Sequence, residues 1–149
     1  MRVDVANRQT REAVPLAWLK VVARRAVRRL HLNASGTLAV TFIDRRTMMQ
    51  LNRRFLQHHG LTDVLSFRYP THPARPGRRA GEAQVAGEIL IAPAAARAYA
   101  KAHGIAYRHE LARYVMHGLL HWLGYNDATP RQQHRMRRME DQLLEKCAD

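Results

Sequence analysis

The sequence has almost no cysteine, no long apolar run and few acidic side chains. Cys147 is the single cysteine among 149 residues, which excludes a fold held together by disulfide bonds. The longest stretch without a polar residue, 89–96, is far shorter than the roughly 20 residues needed to span a bilayer. The first residues also lack the apolar core of a signal peptide. We therefore expect a soluble, cytoplasmic protein without a membrane partner.

Length and composition predict one globular domain over residues 1–149. Hydrophobic residues make up 46% of the chain and charged residues 25%, close to the averages for folded soluble proteins, which excludes disorder throughout. A chain of this length buries roughly two-thirds of the surface that it exposes when unfolded. That is enough for a hydrophobic core without cross-links.

The shortage of acidic residues leaves the chain strongly positive. Lys and Arg total 25 against 12 Asp and Glu, so the net charge is +13 at pH 7. The basic residues are almost all arginines, whose planar guanidinium groups pair with phosphates and stack on bases. Because phosphate contacts supply most of the affinity for nucleic acid, this charge favours an RNA or DNA partner. A GC-rich genome would explain arginine in place of lysine, but not the shortage of acids.

The spacing of apolar residues predicts more helices than strands. We expect strands at 2–7, 38–43, 64–67 and 87–91, and helices at about 15–30, after Asp44, at 94–103, at 107–123 and from Pro130 onward. Residues 70–86, rich in proline, glycine and arginine, are predicted to form a long loop. Since helices and strands do not alternate one for one, we expect an α+β fold with a small mixed β-sheet and about five helices.

Two histidines on the fourth predicted helix form the most specific pattern. His117 and His121 are four residues apart, so their rings lie one turn apart on one face and can bind a single Zn²⁺. Gly124 turns the chain immediately afterwards, so Asp127 can return as a third ligand. Three protein ligands leave one coordination position open, which is typical of catalytic zinc. The same ligands also suit Ni²⁺, Co²⁺ or Mn²⁺.

Two further residues of this helix bear on the proposed metal site. Gly118 follows the first histidine, where a thermolysin-like peptidase has the glutamate of H-E-x-x-H, which argues against a peptidase. A helical glycine costs about 1 kcal/mol relative to alanine, so it indicates a close approach by substrate or by another part of the chain. Glu110 shares the histidine face and is either a partner that orients a ligand imidazole or an exposed side chain.

The run from His117 to Tyr125, His-Gly-x-x-His-x-x-Gly-Tyr, resembles the metal-binding signature of the YbeY family. Other segments resemble family motifs in the same order: Leu51-Asn52, Phe55, Thr62 to Phe67, Gly87-Glu88-Ile89, and Met136 with Glu140. The resemblance covers roughly 37–145 and implies a metal-dependent endoribonuclease domain specific for single-stranded RNA. It further implies a role in rRNA processing, including 16S rRNA 3′-end maturation and ribosome quality control, with the small ribosomal subunit and its assembly factors as partners.

The chain departs from the commonest family pattern near the predicted site. Asp127 stands where most members have a third histidine, and Leu56 replaces an arginine thought to contact RNA phosphate. His59 and Leu61 replace an acidic residue and a proline. A known subgroup resembles this chain at Leu56 and in the Gly-Tyr-x-Asp-x-Thr-Pro turn, so we interpret the changes as variation. The cation that neutralises the scissile phosphate is then Arg53, Arg54, Arg68 or His58.

The remaining roles are assigned by type and position. Glu88, Glu110 and His58 are the candidate catalytic residues, and the alternative for Glu88 is a simple edge-strand charge. The candidate RNA-binding residues are Arg53, Arg54, Arg68, Arg75, Arg78 and Arg79. Either water or the RNA 2′-hydroxyl can be the attacking group. The main alternative is a non-catalytic assembly factor with a structural zinc, which Leu56 favours. A peptide or ester hydrolase is disfavoured by the charge and by Gly118.

Overall fold

A computed structural model of the chain describes residues 1–32, 35–55, 63–70 and 84–148. Within these ranges the strands are β1 (Arg2–Asn7), β2 (Thr37–Phe42), β3 (Val64–Arg68) and β4 (Val85–Ile91). The helices are α1 (Leu16–Arg29), α2 (Arg45–Phe55), α3 (Pro93–His103), α4 (Tyr107–Trp122) and α5 (Pro130–Cys147). None of these helices is both long enough and apolar enough to cross a bilayer. The predicted α+β class, with a small mixed sheet and five helices, is confirmed.

The sheet has the strand order β1-β2-β4-β3. β1 and β2 are parallel, as are β2 and β4, whereas β3 runs antiparallel to β4. The predicted loop 70–86 is too long at its end, because Val85 already pairs with Thr37 and therefore belongs to β4. Val85 is exposed and precedes the buried apolar residues of β4. A strand identified from its buried apolar residues therefore begins after Val85.

Each face of the sheet has its own hydrophobic cluster. The larger cluster joins the sheet to α1, α4 and α5, and fully buried leucines of α4 lie at its centre. Full burial of one such leucine contributes about 1.5–3 kcal/mol to folding. The smaller cluster lies on the opposite face and contains Ile43, Met48, Leu65, Leu90 and Ala92. Because α4 is fixed on the sheet by its apolar side, its other side is free to line a cleft.

The helix ends that frame the site follow from local chemistry. Asp44 accepts a hydrogen bond from the backbone N–H of Thr47 at 2.7 Å, which begins α2 and lowers the pKa of that carboxyl. Thr129 and Gln132 form a reciprocal capping box at the start of α5. Gly124 has a φ of 102°, a conformation that favours glycine, and it reverses the chain between α4 and Asp127. The start of α2 after Asp44, the turn at Gly124 and the start of α5 at Pro130 match the sequence-based expectations.

Candidate metal centre

Gly118 is where α4 packs most closely on the sheet. A Cβ at this position would lie 2.5 Å from Cγ2 of Ile89 and 3.2 Å from Cγ1 of Val64. The hydroxyl of Ser66 on β3 donates a hydrogen bond to the Gly118 carbonyl at 2.7 Å. The close approach predicted from this glycine is therefore made by the sheet and not by substrate. It fixes the rotation of α4 so that His117 and His121 lie on the side away from the core.

His117, His121 and Asp127 converge on one point, as their spacing predicts. The Nε2 atoms of the two histidines are 3.0 Å apart. Oδ2 of Asp127 lies 3.5 Å from Nε2 of His117 and 3.3 Å from Nε2 of His121. Two ligands about 2.0–2.1 Å from a tetrahedral zinc are separated by about 3.3–3.4 Å. The three atoms therefore fit three corners of a tetrahedron around one divalent ion.

Among the described residues, only these three side chains are placed to hold the ion. The three side chains are a quarter to two-fifths exposed, so solvent and substrate can reach the site. Within the described ranges, no fourth histidine, cysteine or carboxylate joins the cluster. A structural zinc site closes its coordination with four protein ligands, whereas a catalytic site keeps a position for substrate. The donor set and its accessibility therefore fit a catalytic metal.

His117 is oriented from behind by Glu140 of α5. Its Nδ1 lies 2.7 Å from Oε2 of Glu140, and a proton on Nδ1 leaves the Nε2 lone pair directed at the metal position. The other oxygen of Glu140 accepts a hydrogen bond at 3.1 Å from Arg113, which also pairs with Asp141 at 2.6 Å. Because the side chains of Glu140 and Arg113 are nearly buried, each charge compensates the loss of hydration of the other. This chain of contacts fixes one ligand ring in the correct tautomer.

Glu110 is neither exposed nor hydrogen-bonded to a ligand histidine. Its side chain is 3% exposed and its Oε2 lies 3.8 Å from Nε of Arg113. In the described part of the chain this oxygen has no hydrogen-bond partner. Burial raises the pKa of the Glu110 carboxyl. The orienting role that the sequence suggested for Glu110 is thus performed by Glu140, which is a correction to that expectation.

A cavity of about 310 Å³ adjoins the three converging side chains. It lies between α3, α4, α5 and the start of β3, and His117 and Asp127 form part of its wall. The rest of the wall combines apolar and aromatic surface with carboxylates and two arginines: Asp63, Val64, Tyr99, Glu110, Arg113, Tyr114, Gln133, Met136, Arg137 and Glu140. Burial raises the pKa of Asp63 and of Tyr114. The cavity thus shares two of its wall residues, His117 and Asp127, with the proposed metal ligands.

Glu88 lies on the other side of the sheet from the histidines. Its neighbours Gly87 and Ile89 face α4, since a Cβ on Gly87 would collide with Trp122 and Ile89 contacts Gly118. Side chains alternate along a strand, so Glu88 points to the opposite face, where it accepts a hydrogen bond from Tyr69 at 3.0 Å. It is not an edge-strand charge, because β4 is an inner strand. A catalytic role for Glu88 stays a prediction that this geometry does not favour.

The candidate RNA-binding arginines fall into two groups. Arg53, Arg54 and Arg68 are exposed; the Arg54 guanidinium lies 5.5 Å from the Phe55 ring and that of Arg68 lies 4.9 Å from the Trp122 ring. Their contact with RNA stays a prediction. Other predicted residues lie outside the described ranges: His58, Arg75, Arg78 and Arg79, together with the family departures Leu56, His59 and Leu61.

Sequence reasoning assigned no role to Glu140 or Arg113. On α5, Met136 and Leu143 are buried, and Glu140 lies between them as a charged residue on the buried side. A carboxylate in an otherwise apolar stripe needs a buried partner. That pattern could have identified Glu140, but nothing in the sequence shows that its partners come from α4.

Comparisons with known proteins point to one family. A family profile described as endoribonuclease YbeY matches residues 4–148. The chain is 34% identical to "Endoribonuclease YbeY" of Mycobacterium tuberculosis (strain ATCC 25618 / H37Rv), over 97% of this chain and 82% of that protein. It is 33% identical to the protein of the same name from Rhodococcus jostii (strain RHA1), over 97% and 81%.

One solved structure has a similar fold. The solution structure of a Thermotoga maritima protein matches with a TM-score of 0.55 and 17% sequence identity, covering 96% of this chain and 89% of that one. The likeness supports the fold alone. The family profile spans nearly the whole chain, and the two curated relatives exceed 30% identity over nearly all of it. The chain therefore belongs to the endoribonuclease YbeY family.

Proposed function

We propose that this protein is a metal-dependent endoribonuclease that cleaves single-stranded RNA during rRNA processing, including maturation of the 16S rRNA 3′ end and ribosome quality control. The observation that supports it most is the open site formed by His117, His121 and Asp127. Relatives that are 33–34% identical over 97% of this chain are named endoribonucleases. The net charge of +13 suits an RNA partner, since phosphate neutralisation supplies much of the affinity for RNA.

In this proposal one divalent ion, Zn²⁺ by preference, is held by His117, His121 and Asp127. The ion supplies Lewis acidity, which stabilises charge on a phosphoryl oxygen and acidifies the attacking group. Glu140 holds the proton on Nδ1 of His117, and Arg113 keeps the Glu140 carboxylate paired. Ser66 holds the backbone between the two histidines against the sheet. The chain's own contribution is thus a preformed ligand set that requires little rearrangement.

RNA binding would depend on arginines outside the metal centre. Arg53 and Arg54 at the end of α2, and Arg68 at the end of β3, are exposed and free to follow the phosphate backbone. Arg75, Arg78 and Arg79 are proposed for the same task from the sequence. Small-subunit rRNA, the small subunit itself and its assembly factors are the proposed partners, and the cytoplasm is the proposed location.

The proposal is tested by cleavage of a labelled single-stranded fragment from the 3′ end of small-subunit rRNA. The zinc-loaded wild type is compared with His121→Ala and with His109→Ala, which removes an exposed histidine of the same helix. We expect the wild type and His109→Ala to cut, and His121→Ala to be inactive although folded. Equal cutting by all three proteins would contradict a role for this metal centre.

The same experiment distinguishes the non-catalytic alternative. If no form cuts, but zinc raises the melting temperature and the protein still binds the RNA, the assembly-factor function replaces the nuclease. The sequence feature that favours this alternative is Leu56, where most of the family has arginine. The open coordination position favours the nuclease, because a purely structural zinc does not need one.

A further inference from the structure

The cavity beside the metal centre has the dimensions of a small-molecule site. Its volume of about 310 Å³ lies within the range of about 300–1,000 Å³ typical of such pockets. His117 and Asp127 belong both to its wall and to the metal cluster. A group bound in the cavity would therefore lie beside two of the three side chains that could hold the ion.

The chemistry of the wall does not suit a phosphate. Although the chain as a whole is strongly positive, the cavity is lined by four carboxylates and only two arginines: Asp63, Glu110, Asp127 and Glu140 against Arg113 and Arg137. Glu140 is already paired with Arg113 and His117, and Asp127 belongs to the metal cluster. The acceptors left for a ligand are the carboxylates of Asp63 and Glu110.

The remaining lining is apolar and aromatic, although one face of the Tyr99 ring is already stacked on His103. Val64 and Met136 are buried apolar side chains of the wall, and Tyr99 and Tyr114 add two partly buried aromatic rings. Aromatic side chains stack on nucleobases without needing a charge on the ligand. Glu110 supplies an independent observation, because its Oε2 is buried without a hydrogen-bond partner among the described residues. The wall therefore combines aromatic surface with one buried oxygen, Oε2 of Glu110, that lies 3.8 Å from Arg113 and accepts no hydrogen bond from the described residues.

We propose that this cavity binds the base of a nucleotide next to the cleaved phosphodiester, and that it selects guanine. Guanine presents two adjacent N–H donors at its Watson–Crick edge, which one carboxylate can accept together, whereas the other three RNA bases lack that pair. Asp63 is the proposed acceptor, since it is only partly buried and lines the cavity. The inference rests on the proposed ribonuclease function and adds a base preference to it.

The test measures RNA binding in the presence of a chelator, so that cleavage does not interfere. Labelled hexauridylates carrying G, A, C or U at one central position are titrated with wild type, Asp63→Asn and Asp4→Asn by fluorescence anisotropy. Asp4 is an exposed carboxylate of β1 outside the cavity wall and serves as the matched control. We expect the wild type and the control to prefer the guanine oligomer about tenfold, and Asp63→Asn to lose that preference.

Each outcome is decisive. Equal affinity for the four oligomers, preference for another base, or an unchanged guanine preference in Asp63→Asn would overturn the base subsite while leaving the ribonuclease proposal intact. If the wild type binds none of the oligomers, the RNA-directed function itself is contradicted. Should Asp63→Asn fail to fold, Asp63→Ser replaces it, and a preserved guanine preference in that variant overturns the assignment of Asp63.

Discussion

Replacing Glu140 by glutamine tests how the protein prepares His117 for the metal. The substitution keeps the size of the side chain and an oxygen that can accept a hydrogen bond from the Nδ1–H group of His117. It removes the negative charge that lies 2.7 Å from Nδ1. Hydrogen-bond partners behind a metal ligand typically contribute 10–100-fold to metal affinity. Because Glu140 is nearly buried and the contact is short, we expect zinc affinity to fall by about tenfold or more.

The matched control for this variant is Asp141→Asn. Asp141 is adjacent in sequence and also pairs with Arg113, but it is exposed and does not contact His117. Zinc affinity is measured by competition with a chromophoric chelator at constant pH. We expect Asp141→Asn to match the wild type, while Glu140→Gln also lowers the free energy of unfolding by about 1–3 kcal/mol. Wild-type affinity in Glu140→Gln, or an equal loss in both variants, would refute the orienting role.

Three further changes test the ligand set, the packing of α4 and the buried carboxyl. Asp127→Asn should weaken zinc binding at least about tenfold in the same titration, whereas Asp127→His should preserve it, because three histidines also form a catalytic zinc set. Gly118→Ala should lower the free energy of unfolding by about 1–3 kcal/mol, because the new Cβ would collide with Ile89. Urea unfolding should show that the same substitution destabilises the protein less when Ile89 is also replaced by alanine. Burial raises the pKa of Glu110, so the folded protein favours the protonated carboxyl. This contribution to the free energy of unfolding is fully present below pH of about 4.5, and it is lost as the pH rises through the raised pKa. The melting temperature of Glu110→Gln should therefore gain on the wild type between pH 4 and pH 8, and a constant difference would contradict the shift.

The elements that depend on local chemistry could be predicted from the sequence. The apolar spacing of α1 gives its buried side correctly, and the Thr129-Pro130 start of α5 carries the capping residues that the structure uses. The two histidines and Asp127 could also be predicted as a cluster. Their spacing involves one helix and one short turn, so no long-range packing had to be known.

The surroundings of the metal centre could not be predicted in the same way. Glu140 reaches His117 across 23 residues of sequence, and Arg113 joins them only because α4 and α5 pack together. Whether the Glu88 side chain faces the metal centre depends on which face of β4 packs against α4. The sequence of one strand does not determine that face. Both cases depend on tertiary contacts, and neither leaves a local pattern that specifies its partner.

The most direct test of the account measures zinc occupancy and RNA cleavage in the same samples. Metal-free protein is titrated with zinc, and bound metal and cleavage rate are recorded at each step for the wild type and His121→Ala. We expect the wild-type rate to rise in proportion to occupancy and to reach its plateau at one ion per chain, with neither binding nor cleavage in His121→Ala. Full cleavage by the metal-free wild type, or by His121→Ala, would contradict a metal centre formed by His117, His121 and Asp127.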